Sequence, residues 1–249
     1  MNIASRHTEV QNAPETSWHV ITQNGIIRSF VASRKNYLFF KRSFDILFSS
    51  LVILLLMSWL IPIVALLIKL DSRGPVFFRQ KRIGRNGRSF MCIKFRTMIR
   101  NKEADERPAE EDDERITKTG KILRRINLDE LPQFFNVLMG QMSVVGPRPH
   151  MLADCIRFSF VIHSYQFRSL VRPGITGWAQ VNGFHGPTSD YESISLRYYW
   201  DAQYVRKANF WLDIKIVWTT AMQMFQNMGS IFKRSAKKIT TTPKTELAE

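Results

Sequence analysis

The chain contains only two cysteines, Cys92 and Cys155, far apart and in no metal-type spacing. This argues against a disulfide framework, and both read as reduced packing residues of a reducing compartment. The five histidines (His7, His19, His150, His163, His185) form no ligand set, so a structural zinc site is not expected. Acidic residues are outnumbered, 21 against 36 basic ones, and the formal net charge is +15. Such a surplus selects anionic partners: phosphates, acidic lipid head groups or nucleic acid. No nucleic-acid-binding motif accompanies it, and nucleic acid is not expected as a partner. No internal repeat is visible. The 249 residues suffice for one or two domains with a sizeable core.

What the chain does have is one long apolar run. Ile46–Ile68 carries no charged residue and, at about 23 residues, is long enough to cross a bilayer as a helix. It starts too far in, runs too long and lacks the small-residue cleavage site of a signal peptide. A buried core helix rarely stays apolar on every face for such a length, so membrane contact is expected. Ser58 and Pro62 lie mid-segment, where a missing N–H kinks a helix. Lys41 and Arg42 precede the run; Lys69, Arg73, Arg79, Lys81, Arg82, Arg85 and Arg88 follow it. The positive-inside tendency therefore makes both flanks cytoplasmic. A re-entrant hairpin satisfies both flanks; a straight span with the bulk of the protein inside is the alternative.

Around this run the sequence divides into four parts. Residues 1–40 read as a flexible lead and interfacial segment, 41–71 as the re-entrant membrane helix, 72–228 as a cytoplasmic domain, and 229–249 as a disordered polar tail. Asn36–Phe44 is aromatic and basic, suited to the head-group layer. Asn86-Gly87 between apolar runs predicts a hairpin. Glu103–Arg115 is an acidic run that reads as a solvated loop, or as a lid that orders on substrate. Met151–Phe167 has helical spacing, and Val171–Gly186 reads as loop and short strand. Tyr198–Tyr204 and Phe210–Phe225 are dense in aromatics interleaved with cations, which suits an interfacial helix or a core helix.

Asn127–Arg148, NLDELPQFFNVLMGQMSVVGPR, sets Asp129 and Glu130 side by side at the predicted start of a helix that closes near Met139-Gly140. Arg148 stands between Pro147 and Pro149. A nucleophilic or metal-binding carboxylate pair, a helix N-terminus and a rigid cation are what phosphoryl chemistry needs. The same residues also read as a helix cap followed by a surface turn.

The apolar hairpin, the basic strand region, LDELPQ, GPRP and RPGITGWAQ, in this order, closely resemble the bacterial sugar transferases. These are monotopic polyprenyl-phosphate phosphoglycosyl transferases of the small single-domain kind. The resemblance covers about Lys41 to Phe225. It implies an α+β, mostly helical, small membrane-associated catalytic domain with an N-terminal re-entrant membrane helix and interfacial amphipathic helices. It also implies a reaction: transfer of a sugar-1-phosphate from a UDP-sugar to undecaprenyl phosphate at the cytoplasmic face of the bacterial inner membrane. UMP is released, and an exopolysaccharide, capsule or O-antigen is begun.

In the family the Asp of the dyad attacks the sugar-bearing phosphorus to form a covalent phosphosugar, and the Glu binds Mg²⁺. Those roles carry to Asp129 and Glu130. Arg124 and Arg148 match phosphate-contacting arginines. Lys94, Arg96 and Arg172 match positions near the site, as substrate-phosphate contacts or structural ion pairs, and Asp213 does so as a substrate contact or a structural group. Gln180 is read as a substrate contact facing the nucleotide or as a structural group, and Trp178 as facing the nucleotide or, by preference, as a packing residue. WAQVNGFHGPTSD is closer to glucose- or galactose-transferring relatives. One departure stands out: small family members carry Ser and Pro side by side at the helix break, whereas here Trp59 follows Ser58 and the proline is Pro62. The competing class is a non-catalytic membrane-anchored adaptor of polysaccharide assembly, which would tolerate Asp129→Asn. Membrane lipids are expected as partners under both; the sequence sets no oligomeric state.

Overall fold

The computed structural model describes residues 34–99, 113–184, 186 and 190–240. Nearly all of the N-terminal lead, most of the acidic run and the end of the tail lie outside the described residues. The first element is a 37-residue helical rod, Lys35–Asp71. It consists of α1 (Lys35–Val52), one wide π turn (Ile53–Met57) and α2 (Ser58–Asp71). The helix thus begins before the boundary expected at residue 41, because the aromatic-basic stretch ahead of the apolar run has no breaker.

The irregular turn lies just ahead of Ser58. The Ser58 hydroxyl donates to the Leu54 carbonyl at 2.7 Å, and the Trp59 indole N–H donates to the Leu55 carbonyl at 2.9 Å. Backbone groups must be satisfied internally wherever water is absent. Trp59, which stands where the resemblance led us to expect proline, thus supplies a second donor to the turn.

Only 17% of the rod's most apolar window is buried. Leu47, Leu51, Leu54, Leu55, Trp59 and Ile63 are exposed, while Asp45, Ser49, Met57, Val64 and Ile68 form a buried stripe. Both ends of the rod are tied to the same globular body. Near its start, Asp45 accepts from the Ser143 hydroxyl and the Val144 N–H, both at 2.9 Å, and Lys41 pairs with Asp213 at 2.9 Å. At its end, Asp71 accepts from the Thr119 N–H at 2.7 Å.

The body is mostly helical with two small sheets. β1 (Phe77–Ile83) and β2 (Ser89–Phe95) form an antiparallel hairpin in which Phe77 faces Phe95 and Ile83 faces Ser89. As Asn86-Gly87 predicts, the connection turns there, with φ of 56° and 76°. α3 (Lys118–Arg125) is capped by the Thr117 hydroxyl, which accepts from the Gly120 N–H. There follow a 3₁₀ turn (Leu128–Glu130), α4 (Gln133–Leu138), β3 (Ser143–Val145), α5 (Leu152–Val161) and a 3₁₀ stretch (Tyr165–Leu170). β4 (Gly174–Thr176) pairs parallel with β3. α6 (Trp178–Val181), α7 (Tyr191–Lys207) and α8 (Phe210–Thr240) complete the described chain.

α8 runs past residue 229, where the polar tail was expected to begin. From Phe210 to Thr240 the sequence contains no proline to stop it; the next is Pro243.

The GPRP and RPG motifs are neighbours because β3 and β4 touch. A Cβ on Gly146 or Gly174 would run into the backbone of the other strand, so both positions require glycine. Met57, Phe134, Val137, Met142, Val145, Tyr204 and Ile216 form the main core. Val64, Ile68, Phe95 and Leu123 form a second cluster that seats α2. The rod is therefore packed as part of the domain, not hung from it.

Candidate active site

Asn127 leaves α3 in the left-handed region, at φ 56°, and reverses the chain so that residues 128–130 form one tight turn. Asp129 and Glu130 were expected at the start of a helix. They sit on this 3₁₀ turn instead, ahead of the six-residue α4, whose N-cap is Pro132. So short a helix aligns few peptide dipoles. Side-chain cations, not the helix, supply the positive field.

Those cations come from three directions. Lys94 on β2 donates to Glu130 Oε1 at 2.7 Å. Arg148, just after β3, grips both oxygens of Glu130, at 2.9 and 2.6 Å. This bidentate pair holds the Glu130 carboxyl far below the usual range against the opposing effect of burial, and Glu130 in turn raises the Arg148 guanidinium. Arg124 on α3 donates through Nε to Thr97 Oγ1 at 2.8 Å.

Asp129 is treated differently. It is only 8% exposed, and no described residue donates a hydrogen bond to its carboxylate. Burial and then the negative charge of Glu130 push its carboxyl up to about 6, against the pull of Lys94, Arg124 and Arg148. Two adjacent carboxylates are thus set apart: one neutralised and fixed, the other desolvated and uncommitted. An uncommitted carboxylate amid cations is equipped to attack an electrophile that carries negative charge.

These groups line one cavity of about 1790 Å³. Arg96 and Gln180 border it too, but their hydrogen bonds go to the backbone. Arg96 donates to the Ser72 and Arg73 carbonyls at 2.8 and 2.7 Å, and Gln180 donates to the Ile175 carbonyl at 3.0 Å. Arg172 is not on the cavity wall; its Nε donates to the Gly140 carbonyl at 2.9 Å. Asp213 is also elsewhere, buried at a node that joins Tyr37, Lys41 and Tyr204. Of the two roles weighed for Asp213, this geometry is structural ion pairing. Trp178 packs on Trp200, with ring centroids 5.3 Å apart.

Two residues that support the site carry no local signal in the sequence. Arg168 donates to the Arg148 carbonyl at 2.6 Å and pairs with Asp201 at 2.9 and 2.8 Å, all largely buried. Asp201 on α7 therefore fixes Arg168, which fixes the backbone of the cation that grips Glu130.

Among the described residues no cluster of three or more His, Cys, Asp or Glu could hold a metal ion. Magnesium is commonly held by one or two carboxylates together with substrate phosphates. Three donors already occupy the Glu130 carboxylate, which leaves Oε2 with room for one more partner, and Asp129 is open. The pair fits a divalent ion that arrives with a diphosphate, not a preformed cage.

The bacterial sugar transferase model matches residues 36–227 of the chain. Over 191 residues the chain is 46% identical to the UDP-glucose:undecaprenyl-phosphate glucose-1-phosphate transferase of Escherichia coli, covering 76% of this chain and 41% of that protein. It is 42% identical to the UDP-N-acetylgalactosamine-undecaprenyl-phosphate N-acetylgalactosaminephosphotransferase of Aeromonas hydrophila, across 78% of this chain and 45% of that one. With the exopolysaccharide production protein PSS of Rhizobium leguminosarum bv. phaseoli it shares 44% identity, over 73% of this chain and 93% of its relative. The chain belongs to the bacterial sugar transferase family. It spans less than half the length of the first two of these relatives.

Proposed function

We propose that the protein transfers a sugar-1-phosphate from a UDP-sugar to undecaprenyl phosphate, and so begins an exopolysaccharide or related polymer. The observation that carries this reading is the contrast within the dyad: Glu130 locked between Lys94 and Arg148, Asp129 buried and free beside it. A carboxylate oxygen of Asp129 attacks the sugar-bearing phosphorus. The bond to the bridging oxygen breaks, its electron pair leaves with UMP, and an aspartyl phosphosugar remains. A phosphate oxygen of the lipid then attacks the same phosphorus, and the Asp129 carboxylate is released. Without cations the first attack is opposed by repulsion between like charges. Lys94, Arg124 and Arg148 offset it, and the burial of Asp129 strips water from the attacking oxygen. A bound Mg²⁺ would add Lewis-acid stabilisation of the diphosphate, with Glu130 Oε2 and Asp129 as the groups to hold it. Glucose is the favoured sugar, in keeping with the Escherichia coli relative. Purified protein given UDP-glucose, undecaprenyl phosphate and Mg²⁺ should release UMP, and donor labelled in its sugar without lipid should leave label on Asp129. Label on another residue, or turnover without trapped label, would sink the covalent route.

For the membrane we favour a re-entrant arrangement at the inner membrane with the catalytic body in the cytoplasm. A rod of 37 residues would extend about 55 Å if straight. Both ends nevertheless bond to one small body, through Asp45 and Lys41 at one end and Asp71 at the other. Single cysteines placed at residues 35 and 72 should react with a membrane-impermeant thiol reagent from the same side. Labelling from opposite sides would replace the hairpin by a span.

A further inference from the structure

One wall of the cavity carries two donors that the fold does not use. His150, only two residues beyond Arg148, lines the same cavity and is 4% exposed. Its Nδ1 lies 2.5 Å from the Tyr165 hydroxyl. Burial, and then the charges of Arg168, Arg197, Arg82 and Arg148, push its ionisation well below the ordinary histidine range, so the ring is neutral. A neutral ring carries one proton, and Tyr165 decides where it sits. Tyr165 is 3% exposed, and its hydroxyl has no other hydrogen-bond partner among the described residues. If it accepted from Nδ1, its own proton and the Nε2 lone pair would both be buried without a partner; if it donates to Nδ1, only the Nε2 proton is left, so the ring proton is placed on Nε2. Nε2 is buried and has no partner. The second donor is Arg197 on α7, 6% exposed and also on the cavity wall. Its Nη2 donates to the Gly186 carbonyl at 2.8 Å, but its Nε is buried without a partner.

Buried donors left unpaired are costly and rare in a finished fold. The surrounding charge says what would pair them. Arg168 is neutralised by Asp201, but Arg197 has no carboxylate within salt-bridge distance among the described residues. Arg82, on the same wall, donates to the side-chain carbonyl of Gln80 and the Pro149 carbonyl, both neutral. Asp154 is the wall's carboxylate, and it faces Arg157 at 3.8 Å. The wall keeps a positive surplus, so a phosphate suits it better than a neutral hydroxyl or carbonyl.

We propose that His150 Nε2 and Arg197 Nε form a second anion subsite, which receives the phosphate of the departing nucleoside monophosphate while Arg124 and Arg148 serve the phosphorus under attack. The subsite rests on the transfer reading given above. His150 and Arg148 have α-carbons at most about 7 Å apart, a separation that two linked phosphates can bridge between side chains. When the bridging bond breaks, the leaving phosphate gains a full negative charge, and these two donors meet that charge as it forms.

The test compares two substitutions at one position by equilibrium binding of UMP, uridine and inorganic phosphate to the intact protein in detergent. His150→Asn keeps an acceptor for Tyr165 and loses the donor at the Nε2 position; His150→Gln places an amide N–H near Nε2. UMP should bind about 10-fold more weakly to the Asn variant and within about 3-fold of wild type to the Gln variant, with uridine unchanged. Arg197→Lys, which keeps the charge but has no Nε–H fork, should weaken UMP about 5-fold or more, and it stands as the test if the His150 variants fail to fold. Wild-type affinity for UMP in both His150→Asn and Arg197→Lys would overturn the subsite, as would equal losses for UMP and uridine. Should wild type bind UMP in this pattern yet release none from UDP-glucose, the transfer reading fails and with it the subsite's role in departure, while the binding of a nucleotide phosphate at His150 and Arg197 stands.

Discussion

Asp129→Asn should lower turnover at least about 10³-fold while raising the thermal midpoint by several degrees at pH 7. The first effect follows because an amide cannot form the aspartyl phosphosugar. The second follows because the fold holds the Asp129 charge at a loss. Its carboxyl is pushed from the ordinary 3.8 up to about 6 by burial and by Glu130. A raised carboxylate makes the folded state relatively less stable as pH rises from about 4 to about 6. Below that window both states are protonated and nothing is lost. The rise from 3.8 to about 6 corresponds to about 3 kcal/mol at most. Because the neighbouring charges are shared with Glu130, about 1–2 kcal/mol is the reasonable expectation, or roughly 2–8 °C. The gain should shrink toward zero at pH 4, and wild-type turnover should fall as pH drops below 6. Differential scanning at pH 4 and 7, with UMP release across the same range, checks all three. A gain of equal size at pH 4 would contradict the burial argument, and retained turnover would remove Asp129 from the chemistry.

That trade between activity and stability is typical of a functional site, and it marks what a linear reading can reach. Asp129, Glu130 and Arg148 were legible because they lie within one short stretch whose charge types and prolines are unusual together. The Asn86-Gly87 hairpin was legible because turn chemistry is local. The supports were not. Asp201 meets Arg168 across 33 positions, Asp45 meets Ser143 across 98, and Lys41 meets Asp213 across 172. No spacing rule connects such pairs; only the tertiary fold does. Arg96 and Arg172 look like any other cation in the sequence, and their bonds to carbonyl oxygens depend on where helix and strand ends fall. The helix expected from Asp129 gave way to a 3₁₀ turn because Asn127 takes a left-handed conformation and Pro132 starts the true helix three residues on. In the sequence His150 is one of five histidines that form no ligand set. Its significance depends on a tautomer that Tyr165 imposes from the following 3₁₀ stretch.

Glu130→Gln should do the reverse of the Asp129 variant: it should destabilise at pH 7 and lose activity through misplaced cations. The anion between Lys94 and Arg148 disappears, and a glutamine amide can accept from one of them while its own N–H₂ confronts the other. Breaking a fully buried ion pair costs about 3–5 kcal/mol. Here the Arg148 and Lys94 side chains remain 26% and 19% exposed, so about 2 kcal/mol, or roughly 4–8 °C, is expected. The pH signature has the opposite sign as well. Glu130 titrates below its ordinary 4.5 in the folded protein, so its stabilisation is complete above that pH and is lost as pH falls below it. The gap between wild type and Glu130→Gln should therefore narrow in acid, where the gap for Asp129→Asn also vanishes but from the other side. Adding Lys94→Met to Glu130→Gln removes one stranded cation and should recover about half the lost stability without recovering turnover. The proposed use of Mg²⁺ is tested on the same protein: if the ion is used and Oε2 takes part in holding it, Glu130→Gln needs several-fold more Mg²⁺ for half-maximal rate. An unchanged requirement would leave Glu130 as the anchor of Arg148 and Lys94 alone, with the ion held by the diphosphate and Asp129.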